Sequence, residues 1–159
     1  MRGRPTASRE RALTDYPIPN VSHDLTGQVA LITGCTSGLG WRFARVLAAC
    51  GAKTIVTGRR TERLEALAEE IRADGGEALP LRVDMTDRAS IRAMVDAGEQ
   101  AFGTISILVN NAGIPDAQRA HKMDDELVDA VFDTNLKGPG CFPARSRSAS
   151  SRRSREDAW

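Results

Sequence analysis

The sequence predicts an α/β fold built on a doubly wound parallel sheet, incomplete at its first four strands and their helices, and three observations carry that prediction. Short continuous apolar runs recur at residues 29–33, 54–57, 78–83 and 105–109. Each precedes a segment with apolar residues at helical spacing, and strands alternating with helices at this interval imply right-handed crossovers between parallel strands. A loop with three glycines joins the first run to the first helix.

Each element has a local cause. Residues 1–24 are polar, are broken by Pro5, Pro17 and Pro19, and hold no sustained period, so a disordered extension is expected there. The run Val29, Ala30, Leu31, Ile32, Thr33 suits a strand covered on both faces. In the helix after it, Leu39, Phe43, Val46, Leu47 and Cys50 share one face and are the expected core contact, with Gly51 as the stop. After the second strand, Thr61 is the expected N-cap of a helix whose stripe is Leu64, Leu67, Ala68 and Ile71, ended by Gly75 and Gly76. Pro80 cannot donate to a ladder, which places the third strand at a sheet edge or Pro80 among its first positions. Asp87 is the expected cap of a helix that buries Ile91, Met94, Val95 and Phe102, and Gly103 leads into the fourth strand. A last helix is expected over residues 125–136, with Leu127 and Val131, and Val128 and Phe132, as pairs four apart.

Composition narrows the function classes. At 159 residues, 41% hydrophobic and with a formal net charge of +1, the chain fits a globular protein and argues against a generic nucleic-acid or acidic-membrane binder, although both ends are rich in Arg. No apolar run reaches the length of a membrane span. Cys35, Cys50 and Cys141 form no CxxC pair and His23 stands far from His121, so no metal site is expected. An odd, scattered set of cysteines suits a reducing cytoplasm. The N-terminal arginines have no apolar stretch behind them, which excludes a secretory signal, and Glu10 and Asp15 count against a transit peptide.

From Gly140 onward half the residues are Ser or Arg, so residues 139–159 are expected to be a disordered tail after a dinucleotide-binding part at 25–138. The tail is either genuinely basic or the out-of-frame continuation of a GC-rich gene. The second reading is preferred because the change falls just after an unfinished α/β unit.

The loop Thr33-Gly34-Cys35-Thr36-Ser37-Gly38-Leu39-Gly40 has a chemical reason for its spacing. Gly34 can take a tight turn, Gly38 lets backbone approach a pyrophosphate, and Gly40 lets the helix approach the strand. Free N–H groups at the helix start bind phosphate, and Thr36 and Ser37 can add hydroxyl hydrogen bonds. Cys35 is open to two readings, a thiol activated by the helix start or a small residue filling the loop; the second is preferred because no general base adjoins it.

The pattern TGxxxGxG in this setting, with Asn110-Asn111-Ala112-Gly113 directly after the fourth strand, resembles the classical short-chain dehydrogenase/reductase family over about residues 24–138. The resemblance implies a Rossmann-type sheet that binds a nicotinamide dinucleotide. It assigns cofactor contacts to Gly34, Thr36, Ser37, Gly38, Leu39 and Gly40, to Asp84 and Met85 beside the adenine, and to Asn111, Ala112 and Gly113 near the nicotinamide ribose. Asp84 is otherwise a solvated turn carboxylate. Asn135, in Thr134-Asn135-Leu136-Lys137-Gly138, is similar to the family's catalytic asparagine, whose backbone holds a water in the proton relay. The implied activity is hydride transfer between nicotinamide and a small-molecule carbonyl or secondary alcohol, in an enzyme that usually assembles as a homo-oligomer.

The residue ending the second strand separates the two nicotinamide cofactors, because a carboxylate there accepts from the ribose 2'-hydroxyl and repels a 2'-phosphate. Here the sequence is Gly58-Arg59-Arg60, which favours NADP over NAD. Either arginine could instead be a solvated helix start paired with Glu62 or Glu65.

The same resemblance calls for a serine, a tyrosine and a lysine four residues after that tyrosine, all downstream of Asn135. Tyr16 is the single tyrosine, precedes the first strand and has Asn20 four positions on. Ser146 and Ser150 have no strand to hold them. The chain as given is therefore expected to bind cofactor at best. The alternative is a catalytically inactive nucleotide-binding fragment of a frameshifted gene. A fourth strand without a fifth would also leave an apolar edge open to aggregation. A nucleic-acid role for the Arg/Ser tail lacks an aromatic stacking platform.

Overall fold

The structure, a computed structural model, describes residues 22–114 and 124–142. The extension before Ser22, including Tyr16, the segment 115–123 with His121, and the Arg/Ser stretch after Phe142 lie outside the described residues. Among the described residues no helix is long and apolar enough to cross a membrane.

Strands β1 (Val29–Thr33), β2 (Lys53–Gly58), β3 (Ala78–Arg82) and β4 (Ile107–Val109) form one sheet in the order β3-β2-β1-β4. All three pairings are parallel, with Leu31 opposite both Ile55 and Leu108. Successive side chains of a strand point to opposite faces, so a run that is buried throughout needs cover on both. The cover divides accordingly. Ile32 and Val56 pack with Leu64, Leu67 and Ile71 on one face, and Leu31 and Ile55 pack with Ile91, Met94 and Val95 on the other. Each such aliphatic side chain contributes on the order of 1.5–3 kcal/mol of transfer free energy. Buried hydroxyls are satisfied by nearby carbonyls, Thr54 donating to Glu77 O at 3.0 Å and Thr57 to Ile32 O at 3.0 Å.

Pro80 stands opposite Val56 in the outer strand β3, as its missing N–H requires. β4 is shorter than the apolar run that announces it. Just before it, Ser106 keeps a backbone bond to β1, its N–H donating to Val29 O at 3.0 Å, while its hydroxyl accepts the Val29 N–H at 3.1 Å.

The helices are α1 (Gly38–Ala49), α2 (Thr61–Ala73), α3 (Arg88–Phe102) and α4 (Asp125–Phe132). Asp87 caps α3, its carboxylate accepting from Ala89 N at 2.8 Å. Three expectations need correction. Thr61 is the first residue of α2 and not its cap, a position held by Arg60 without a side-chain cap bond. The last helix does not run unbroken over 125–136: α4 gives way to a π turn at Asp133–Lys137, then to a helical turn at Gly138–Gly140. Residues 139–142 are not tail, because that turn buries Gly138 and carries Cys141 and Phe142 onto the second core.

The third correction has a companion in α1, whose buried face is rotated from the expected stripe: of that stripe Leu47 still packs against the core. Gly40, Ala44 and Ala48 are the buried residues, whereas Leu39, Phe43 and Val46 are 65%, 38% and 51% exposed. Small residues at intervals of four let the helix backbone lie close over β1, and larger ones there would hold it off the sheet. Replacing Ala44 with leucine should therefore cost about 1–3 kcal/mol by overpacking, while Val46→Lys should stay within about 0.5 kcal/mol. Urea midpoints compare the two; a larger loss at Val46 would show that α1 buries its other face.

Candidate functional site at the strand ends

Where the parallel strands end, the loops after β1, β2, β3 and β4 converge on a cleft of about 720 Å³, within the usual size range of ligand pockets. The first loop brings Gly34, Thr36, Ser37 and Leu39, the second Gly58, Arg59 and Arg60, the third Asp84 and Met85, and the fourth Asn111, Ala112 and Gly113. Gly38 and Gly40 do not line the cleft. Asn135 stands at its border, next to the lining residue Thr134.

The glycines test what the cleft can hold. Gly34 has φ +73°, and a Cβ there would stand 2.7 Å from Ala112 Cα, so both conformation and space require glycine. A Cβ on Gly40 would overlap Gly34 O, which is the tight helix-to-strand approach. Gly38 has φ +61° with open space around its Cβ position, so its backbone is bare. Ser37, before α1, makes no side-chain cap bond, and no acidic residue occupies the first turn. Among the described residues the first N–H groups of α1 thus have no side-chain partner, next to a bare glycine and at the positive end of the helix dipole. That donor set fits a pyrophosphate.

Between β1 and β4, the Thr33 hydroxyl accepts from Asn111 N and Ala112 N, both at 3.0 Å. Asn111 Nδ2 donates to Thr33 O at 3.0 Å and Gly34 O at 3.1 Å. Asn135 makes a paired contact with one residue: Oδ1 accepts from Ile114 N at 2.9 Å and Nδ2 donates to Ile114 O at 3.2 Å.

The two arginines face different partners. Arg60 Nη2 donates to Thr36 Oγ1 at 2.6 Å, and neither Arg59 nor Arg60 forms an ion pair among the described residues. Arg59 acts on Asp84. That carboxyl is held below its ordinary value of 3.8, first by the Thr86 backbone N–H, then by the Thr86 hydroxyl, with Arg59 and Arg82 adding electrostatic pull. Both Thr86 donors meet the same oxygen, Oδ1, at 3.0 and 2.7 Å.

Cys35 is fully buried, its thiol donating to Ile32 O at 3.2 Å, and burial pushes its pKa up to about 12. It fills the loop and is no nucleophile. Among the described residues no group of three His, Cys, Asp or Glu could hold a metal ion.

Val83, Thr86, Ile114 and Thr134 also line the cleft and were not foreseen. Thr86 had a signal, since a hydroxyl two residues after a loop aspartate commonly closes a small turn onto it. The others are apolar or flanking positions with no chemical mark of their own.

Because the Asp84 pKa is lowered in the folded chain, its contribution to stability is present above 3.8 and is lost as pH falls through the folded value. Thr86→Val removes one of two donors to the charged form, so the Asp84 carboxyl should titrate closer to 3.8. Carbon NMR of that carboxyl follows the shift; an unchanged titration would show that the hydroxyl does not hold it.

With this geometry in hand, likeness to known proteins is specific. A family model described as short chain dehydrogenase matches residues 28–142. Galactitol 2-dehydrogenase of Agrobacterium fabrum is 44% identical over 115 residues, covering 72% of this chain and 44% of that protein. The 3-oxoacyl-[acyl-carrier-protein] reductase of Thermotoga maritima is 39% identical over 114 residues, covering 72% of this chain and 46% of that protein. A metagenomic short-chain oxidoreductase crystallised in complex with NADP superposes with a TM-score of 0.69 at 37% identity, covering 76% of this chain and 54% of that one. The chain spans less than half the length of these two curated relatives. The matched residues contain the glycine loop, the post-β4 asparagine and the helical turn at Gly138, and the chain belongs to the short-chain dehydrogenase family.

Proposed function

We propose that this protein supplies the NADP-binding part of a cytoplasmic oxidoreductase that interconverts a small-molecule carbonyl and a secondary alcohol. The observation that carries the reading is the placement of Arg59 and Arg60 in one cleft with the phosphate loop, after a β2 that ends in glycine and not in a carboxylate. A guanidinium offers a 2'-phosphate paired, charge-assisted donors, and an acid at Gly58 would repel it. The NADP carried by the metagenomic relative supports the same choice; NAD is the alternative.

Each loop has a part in holding the dinucleotide. The first N–H groups of α1, with Ser37, take the pyrophosphate. Asp84 stays ionised through the neutral range, and with Oδ1 engaged by Thr86 its second oxygen is available to the adenine amino group. Asn111 is occupied with Thr33 and Gly34, so Ala112 and Gly113 meet the nicotinamide ribose with backbone. When bound, the nicotinamide ring supplies or accepts the hydride.

Asn135 is the catalytic residue we assign within these residues. Its side chain is committed to Ile114, which leaves its backbone to hold the water of a proton relay. The π turn around it supports that role, since the shift from four-residue to five-residue bonding disturbs the regular pairing of local carbonyls. Tyr16, with Asn20 four positions later, does not supply a tyrosine–lysine pair, so the 159 residues as given bind dinucleotide without reducing a carbonyl. A nucleotide-binding fragment without turnover is the second reading, favoured by that same observation.

Replacing Arg59 and Arg60 together with alanine should weaken NADPH binding by about 1.5–3 kcal/mol, the worth of a hydrogen bond to a charged group. NADH binding should change by less than about 0.5 kcal/mol. Nicotinamide fluorescence titration gives both affinities, and equal losses for the two dinucleotides would refute the 2'-phosphate assignment.

A further inference from the structure

We propose that Thr36 is a positioning residue for cofactor choice: its hydroxyl holds the Arg60 guanidinium at the phosphate loop, so selection of a 2'-phosphorylated dinucleotide depends on a side chain that carries no charge. The proposal rests on the NADP reading above and deepens it.

Three observations support it. The Arg60 Nη2 to Thr36 Oγ1 bond, 2.6 Å long, joins the end of β2 to the glycine loop across 24 positions of sequence. Among the described residues Arg60 has no ion pair, which leaves the threonine as the side chain that orders it. Gly58 makes the contact possible, because a Cβ at that position would lie 2.8 Å from Thr36 Cγ2 and displace the threonine. Arg59, the adjacent arginine, shares the cleft but has no such bond among the described residues, and its charge adds a minor pull on the Asp84 carboxyl.

The chemistry is that of a neutral acceptor ordering a cation. Thr36 Oγ1 accepts from one Nη of Arg60 and leaves the other guanidinium donors free of it, so an anionic oxygen meets a guanidinium whose orientation is already set. An arginine without that tether would have to order itself on binding, and affinity falls when ordering accompanies association.

Two substitutions separate the hydroxyl from the methyl group. Thr36→Val keeps the branched shape against Gly58 and deletes the oxygen; Thr36→Ser keeps the oxygen and deletes the methyl. With the full chain titrated by NADPH and by NADH, T36V should lower the NADPH-to-NADH affinity ratio by about 5–10-fold, the range of one lost hydrogen bond. T36S should hold the ratio within about 2-fold of the parent. In an Arg60→Ala background T36V should change the ratio by less than about 2-fold, because residues acting as one unit are not additive. Loss of selectivity in T36S with retention in T36V would overturn the proposal in favour of packing. An undiminished T36V effect in the R60A background would overturn it in favour of direct contact with the cofactor. If R60A alone leaves the ratio unchanged, the 2'-phosphate reading fails at Arg60; if R60A lowers it and T36V does not, only the positioning role fails.

Discussion

One buried hydroxyl sets the spacing of the cleft. β1 and β4 are paired over three residues only, Ala30 to Ile32 with Ile107 to Val109. Beyond that ladder the Thr33 side chain takes over, accepting from two consecutive N–H groups of the segment after β4. Asn111 returns the contact to the carbonyls of Thr33 and Gly34. Thr33 is fully buried, and a buried hydroxyl left unpaired would cost about 1–3 kcal/mol, so its bonds to the half-buried Asn111 and Ala112 act as one network. The glycine loop and the segment after β4 consequently meet at a fixed separation, close enough that Gly34 has no room for a Cβ beside Ala112.

From that tie the rest of the site follows outward. Gly40 packs on Gly34 O, which draws the start of α1 over the end of β1 and leaves its uncapped N–H groups at the cleft. On the far side of β1, β2 delivers Gly58 and the two arginines, and β3 delivers Asp84 with its Thr86 turn. Every loop that lines the cleft after a strand lies at the same end of the sheet because all four strands are parallel.

Much of this was legible in the sequence, and the failures share a cause. Runs such as Val29 to Thr33 were readable as strands because burial on both faces removes the polar alternation. The glycine loop was marked by its own spacing, and Asp84 and Asn111 by the family resemblance; the structure sets Gly34, Asp84 and Asn111 along one cleft. Hydrophobic periodicity misjudged α1, since it weighs the size of side chains and the closest face of that helix is defined by their smallness, at Gly40, Ala44 and Ala48. The π turn at Asp133–Lys137 leaves no compositional trace, so Asn135 looked like a position in an ordinary helix end. Its pairing with Ile114 joins residues 21 apart in sequence, and no local pattern announces a contact of that kind. The boundary drawn at 138 followed composition, whereas Phe142 follows the packing of the turn before it.

The misread helix face also bears on how binding and chemistry divide in this fold. Leu39, Phe43 and Val46 of α1, Leu108 of β4, and Phe132 and Leu136 beside the π turn are the large apolar side chains left exposed among the described residues. Of these, Leu39 alone lines the cleft. The polar groups of the cleft are held by local hydrogen bonds, Thr33 with Asn111, Thr36 with Arg60 and Asp84 with Thr86. The apolar groups are in the opposite condition, since burial against other residues would lower their free energy. Cover over α1, β4 and the π turn would therefore add stability without disturbing the bonds that shape the cleft.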